Sequence, residues 1–153
     1  MTTSRDNSGF TLVELMVVIL VLGILVTLAA FSMRPFLNAQ RVRSASYELF
    51  STIVFARSEA LKRNTTVTIT PAAGGWQDGW TITSGISTLR SQAAQTGVVI
   101  TSAASSVSYA STGRLLSTSP TFQVDTSDTP TSNVRCISID LSGLPKTKKE
   151  TCS

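Results

Sequence analysis

The 153-residue chain contains no histidine and only two cysteines. Without histidine, the Ser-His-Asp and Cys-His arrangements of nucleophilic catalysis are excluded. Two cysteines with no histidine also make a zinc site unexpected, and the glycines match neither a Walker nor a dinucleotide-binding spacing. The carboxylates are scattered along the chain, and no pattern pairs any two of them. We therefore expect neither enzymatic activity nor a cofactor.

Charge is scarce as well, and one long segment has none. Charged residues make up 14% of the chain, and residues 15–33 contain no charged side chain. About 20 helical residues cover the roughly 30 Å hydrocarbon layer of a bilayer. A secretory signal would place a small-residue cleavage site behind its apolar core, whereas here a polar segment ending in Gly9 precedes the core. The run predicts a transmembrane helix, and Glu14 near its start indicates a function because a carboxylate is costly in a membrane.

A helical pattern continues beyond Pro35 to about Lys62. Apolar or small residues recur at spacings of 3, 4, 4, 3 and 4, as one face of a helix requires. They are Val42, Ala45, Leu49, Ile53, Ala56 and Ala60. We predict an amphipathic continuation of the helix over residues 34–63, with this face packed on a globular head.

From residue 64 onward the sequence is rich in serine and threonine and alternates as β-strands do. Strands are predicted at 66–70, 79–83, 97–101, 107–110, 121–125 and 134–140. Turn residues separate them, among them Asp78-Gly79 and Ser142-Gly143. The predicted fold class is α+β. A long N-terminal helix, transmembrane in its first half, packs on an antiparallel sheet or small sandwich formed by residues 64–153.

Residues 9–14 (GFTLVE) resemble the type IV pilin signature. The resemblance implies a pilin-like fold and a leader, residues 1–9, which prepilin peptidase removes by cutting between Gly9 and Phe10 before methylating the new N-terminus. It implies an assembly helix over residues 10–33, in which a neighbour's Glu14 neutralises the new amine and sets the axial register. It further implies an inner-membrane precursor with a periplasmic head, and later an extracellular pilus.

Motifs in the head narrow this resemblance to the GspH/FimT family, and within it to FimU/FimT-type minor pilins. The segments are FARSEALKRN (55–64), GGWQDGWTI (74–82) and STGRL (111–115). They imply a minor pilin of a type IV pilus that primes fibre assembly and sits at or near the tip. The implied partners are the major pilin, other minor pilins, the peptidase and the inner membrane. The H-type minor pseudopilin of a type II secretion system is an alternative.

Four side chains within these motifs have structural interpretations. Trp76 and Trp80 lie near glycine-rich turns, so we interpret them as hairpin core rather than as binding residues. Arg57 and Glu59 are interpreted as contacts between the helix and the head.

Cys136 and Cys152 lie in a part of the chain that the resemblance places outside the cytoplasm. Oxidising compartments favour disulfides. Closing a loop of about 15 residues would contribute roughly 3 kcal/mol in the chain-entropy model. Two free thiols or a redox pair are the alternatives, although no CxxC motif is present.

Three lysines near the C-terminus, Lys146, Lys148 and Lys149, contribute to a net charge of +4. Some FimT-type relatives bind DNA through a Gly-Arg-x-Arg motif, whereas this chain has Gly143-Leu144-Pro145-Lys146. Lysines can contact phosphates without reading sequence. A DNA-binding minor pilin is therefore an alternative, and a solvated tail is the simpler interpretation.

Overall fold

The computed structural model describes residues 11–116, 118–126 and 133–152, with only the backbone described for residues 29–32. Gly9 and Phe10, and with them the predicted cleavage site, lie outside the described residues. Within these ranges the chain forms two helices and eight strands: α1 Leu12–Ser32, α2 Arg34–Arg63, β1 Val67–Ala72, β2 Gly75–Ser84, β3 Ser87–Gln92, β4 Val98–Thr101, β5 Val107–Tyr109, β6 Thr121–Thr126, β7 Arg135–Ile139 and β8 Pro145–Lys148.

The predicted continuous helix is divided at Met33. Helix α1 ends at Ser32, and α2 begins at Arg34. Pro35 lies in the first turn of α2, where its missing N–H removes no intrahelical hydrogen bond. The chain divides into one compact unit that ends at Leu37 and a second that begins at Asn38.

In the first unit, α1 contains the apolar run. Its described apolar side chains are exposed; Leu12, for example, is 72% exposed and Leu28 65%. Among the described residues, no helix combines the length and hydropathy expected of a membrane span.

In the second unit, α2 supplies one side of the hydrophobic core. The six apolar or small residues of the predicted face are all buried, which confirms the helical period. They form one cluster with buried side chains from both sheets, including Ile69, Phe122 and Ile137. The two tryptophans belong to the same cluster, as predicted. Trp80 donates its Nε1–H to Thr52 Oγ1 of α2 at 3.0 Å, which satisfies both buried polar groups.

The strands form two four-stranded sheets in which every pairing is antiparallel. The strand orders are β3-β2-β1-β5 and β4-β6-β7-β8. The antiparallel sheet prediction is confirmed, but β3 and β8 were not predicted. The predicted break at Asp78-Gly79 is wrong, because both residues lie inside β2. Pro71 pairs with Trp80 and Ala72 with Gly75, so the intervening β2 residues bulge out of the ladder with β1.

Candidate functional site

The N-terminus of α1 is organised by a hydrogen bond between Thr11 and Glu14. Thr11 is the N-cap, and its Oγ1 accepts from the Glu14 backbone N–H at 3.2 Å. Glu14 is exposed in the first helical turn, where the helix dipole favours a negative charge. The capping role of Thr11 was not predicted, although the T-x-x-E spacing of a capping box indicates it. The chain therefore presents the Glu14 carboxylate in the first turn of an exposed apolar helix.

The apolar side chains along α1 form the most extensive exposed apolar surface of the first unit. Between Leu12 and Leu28, the valine, leucine, isoleucine and methionine side chains point in all directions around the helix. Each of them is at least 44% exposed. A soluble monomer rarely exposes a continuous apolar surface of this kind, and such surfaces mark contacts with other proteins or with lipid.

A disulfide joins Cys136 of β7 to Cys152 near the C-terminus. The backbone between them returns along β7 as strand β8, so that Cys136 is paired with Lys148 in the ladder. The Cys152 N–H donates to Gln123 Oε1 of β6 at 3.3 Å. The C-terminal segment is thus fastened to the second sheet by a covalent bond, a ladder and a side-chain contact.

The three candidate lysines lie on or beside β8, the edge strand of this sheet. Lys146 Nζ is 3.4 Å from Asp140 Oδ2, and Lys148 Nζ is 3.0 Å from Glu150 Oε1. Lys149 follows directly and is exposed. The structure brings the lysines to one edge, but it pairs two of them with carboxylates. Exposed pairs of this kind are weak, yet they lower the net positive charge that a phosphate would meet.

Asp140 organises the turn that leads into β8. Its carboxylate accepts hydrogen bonds from the Ser142 hydroxyl, from the Ser142 N–H at 3.0 Å and from the Leu144 N–H at 3.3 Å. The Ser142 hydroxyl is the largest of the contacts that hold the pKa of Asp140 below its ordinary value, ahead of the Leu144 N–H and Lys146.

Three motif segments that are distant in sequence meet around Gly143. Arg57 of α2 donates its Nε–H to the Gly113 carbonyl at 3.0 Å, and Tyr109 donates its hydroxyl to the Gly143 carbonyl at 3.1 Å. Burial raises the pKa of the Tyr109 hydroxyl, which therefore remains a donor. Arg57 thus makes the predicted contact between helix and head. The motif residues Arg57, Tyr109 and Gly113 are accounted for by these hydrogen bonds and close contacts.

The ion pairs of Glu59 lie within α2, so its interpretation as a contact between the helix and the head stays a prediction. Its carboxylate is bonded to Arg63 Nε at 2.5 Å and lies 3.6 Å from Lys62 Nζ, and both partners are on α2 itself. The hydrogen bond from Arg63 is the main reason why the pKa of Glu59 is lowered. The last turn of α2 therefore satisfies its one nearly buried carboxylate locally.

Comparisons with known proteins agree with this architecture. A family model for the type II transport protein GspH matches residues 45–143, and a model for the prokaryotic N-terminal methylation motif matches residues 4–30. Among curated proteins, none matches this chain significantly.

Two crystal forms of the type IV minor pilin FimU from Pseudomonas aeruginosa PAO1 have a similar structure. The first has a TM-score of 0.64 at 23% identity, covering 74% of this chain and 92% of that chain. The second has a TM-score of 0.61 at 22% identity, covering 69% and 91%. The predicted pilin-like fold is thereby confirmed.

Proposed function

This chain belongs to the family of the type II transport protein GspH, and on that premise we propose that it is a minor pilin of a type IV pilus. The observation that carries the proposal is the methylation motif at residues 4–30, which includes most of the exposed apolar helix α1. A helix of this kind, capped by Thr11 and with Glu14 in its first turn, is suited to packing in a bundle of identical or related helices. The family is one of structural subunits rather than enzymes.

The route of assembly follows from the same segment. In this proposal, prepilin peptidase cuts between Gly9 and Phe10 and methylates the new amine. The apolar surface of α1 holds the precursor in the inner membrane, with the head in the periplasm, and the subunit then enters the extracellular fibre. Other minor pilins and the major pilin are its partners.

A place at or near the fibre tip is the finer part of the proposal. Its support is the fold shared with FimU, a protein described as a type IV minor pilin. The disulfide and the ladder that fasten the C-terminal segment support it too, because they give the head a rigid surface on which a priming set of minor pilins can assemble.

A second candidate is the minor pseudopilin of a type II secretion system, which the description of the matching family model favours. Deleting the gene separates the two. For a minor pilin we expect loss of surface pili with normal exoprotein secretion, and for a pseudopilin the reverse.

Complementation with Gly9→Val serves as the matched control for this test. It should accumulate as a precursor about nine residues heavier and fail to restore either phenotype, because the peptidase requires a small residue at the cut. Deletion without effect on pili or secretion would overturn both candidates. Restoration by an uncleaved Gly9→Val chain would overturn the assigned processing.

DNA capture by Lys146, Lys148 and Lys149 is the weaker alternative, since two of these lysines already face carboxylates. Affinity that depends on phosphate contacts falls steeply with salt. A gel-shift titration of the full chain in detergent with duplex DNA at rising salt should therefore show no shift, or one that charge reversal of the three lysines leaves unchanged. A shift abolished by that reversal would favour the DNA receptor.

A further inference from the structure

An open groove of about 530 Å³ lies on the head where α2 faces the β7–β8 end of the second sheet. Arg43, Ser46, Tyr47 and Phe50 line it from α2, and Arg135 and Thr147 line it from β7 and β8. All of these residues belong to the second compact unit. We call this surface the arginine groove.

The groove continues the layer between α2 and the second sheet, and its residues do not fill that layer as the core residues do. Side chains alternate along a strand, so Arg135 shares a face of β7 with the buried Ile137 and Ile139. Thr147 is paired with Ile137 in the β7–β8 ladder and therefore faces the same side. Polar residues thus stand where apolar ones would close the core, and Tyr47 beside them is 71% exposed.

The groove is cationic and contains no carboxylate of its own. Its lining includes two arginines and no aspartate or glutamate. In the described part of the chain, ion pairs engage Arg63, Arg90, Lys62, Lys146 and Lys148, whereas neither Arg43 nor Arg135 takes part in one. Two guanidinium groups next to two aromatic rings therefore line the groove without an ion-pair partner among the residues that the structure describes.

We propose that the arginine groove receives a segment of another fibre subunit in which a carboxylate stands beside an apolar side chain. Guanidinium groups frequently bind carboxylates in a bidentate geometry, and tyrosine and arginine are enriched among the residues that contribute most to binding at protein interfaces. The inference rests on the proposed function, because it requires a fibre in which heads meet. A nucleic acid is disfavoured, since its binding usually draws on a longer track of phosphate contacts than two arginines supply.

The test places a photo-cross-linking phenylalanine analogue in the full chain, in cells that make the fibre. One variant carries it at Tyr47 in the groove, and a second carries it at Val18 on the exposed face of α1. Sheared fibres are irradiated, and the joined peptides are identified by mass spectrometry. We expect Tyr47 to join a subunit peptide that contains aspartate or glutamate.

Charge reversal then tests the chemistry of the contact. Arg43→Glu combined with Arg135→Glu should lower the Tyr47 cross-link about tenfold or more, because a hydrogen bond to a charged group contributes at least that factor. Arg114→Glu is the matched control at an exposed arginine outside the groove and should leave the yield unchanged. A persisting Val18 cross-link shows that the double variant still folds and assembles. Arg43→Glu alone, at an exposed helix position, is the milder variant and should lower the yield in the same direction.

The outcomes separate the inference from the function on which it rests. A Val18 cross-link to a pilin without one from Tyr47 would overturn the groove proposal and leave the fibre subunit intact. A Tyr47 cross-link to nucleic acid would also overturn it. So would a Tyr47 cross-link to a peptide without a carboxylate, if the yield of that cross-link survives charge reversal. Absence of the chain from fibres, with no cross-link from either position, would overturn the proposed function itself.

Discussion

At the scale of single residues, Gly143 shows how closely three segments of the head approach one another. Its φ of +84° lies in the left-handed region that favours glycine. A Cβ at this position would stand 2.3 Å from the Gly113 carbonyl oxygen and 2.8 Å from Tyr109 Cε1. The Gly113 carbonyl is a backbone group that accepts a hydrogen bond from Arg57, so it cannot move away from an added Cβ without a loss of stability.

Gly143→Ala should therefore destabilise the head by about 3 kcal/mol or more, which combines backbone strain with overpacking. Gly85→Ala is the matched control, because Gly85 also has a positive φ but nothing lies within 4 Å of the position that an added Cβ would occupy. It should cost only about 1 kcal/mol of strain. Denaturant unfolding of the purified variants measures both. Equal losses at the two sites would contradict the role assigned to the close approach.

Glu59 provides a pH-dependent prediction. Contact with Arg63 lowers its pKa below the ordinary 4.5 in the folded state. A carboxyl whose pKa is lowered on folding stabilises the protein above its unfolded-state pKa and loses that contribution as pH falls through the folded-state value. Glu59→Gln should therefore be less stable than the parent chain near neutral pH, and the difference should shrink below about pH 4.5. Unfolding midpoints over this range measure it, and a difference that does not change with pH would indicate a packing role instead.

At the scale of elements, the helix and strands of the head that carry buried apolar residues were predicted from the sequence, and two strands that are mostly exposed were missed. The buried face of α2 and the buried positions of β6 and β7 carry apolar residues at the helical or strand period. Strand β3 (STLRSQ) is largely exposed on both faces, so it has no apolar alternation to detect. Strand β8 begins with Pro145 and carries two lysines, a composition that suits the protected edge of a sheet.

The strand β8 is also the element that the disulfide restrains. Replacing both cysteines, Cys136→Ser with Cys152→Ser, should lower the free energy of unfolding by about 3 kcal/mol in the chain-entropy model. The decrease in the free energy of unfolding should equal the decrease that reduction causes in the parent chain. A reductant should have no further effect on the stability of the variant. Unfolding curves with and without reductant measure this, and a parent chain indifferent to reductant would contradict it.

At the scale of the whole molecule, the local motifs could be predicted from the sequence, but the contacts between distant motifs could not. The signature at residues 9–14 and the periodicity of α2 are local patterns. The junction of Arg57, Gly113 and Gly143 depends on contacts between segments that only the fold brings together. The arginine groove belongs to this second kind, since Arg43 and Arg135 are 92 positions apart in the numbering.

Assembly into a fibre gives the last prediction, because the Glu14 side chain is exposed in the first turn of α1 and its proposed partner belongs to a neighbouring subunit. Glu14→Gln keeps the backbone N–H that Thr11 accepts, but it removes the charge proposed to neutralise a neighbour's N-terminal amine. We expect normal membrane insertion and processing, with a strong loss of the mature subunit from sheared fibres, because an unpaired charge in a packed helix bundle is costly. Thr11→Val is the matched control, because it removes the N-cap at a cost of about 1 kcal/mol in helix stability but keeps the charge of Glu14. When only processed subunits are counted, this variant should enter fibres nearly as well as the parent chain. Normal recovery of Glu14→Gln would show that assembly does not need the carboxylate. Equal failure of Thr11→Val would show that assembly depends on the start of the helix rather than on a charge pair with a neighbour.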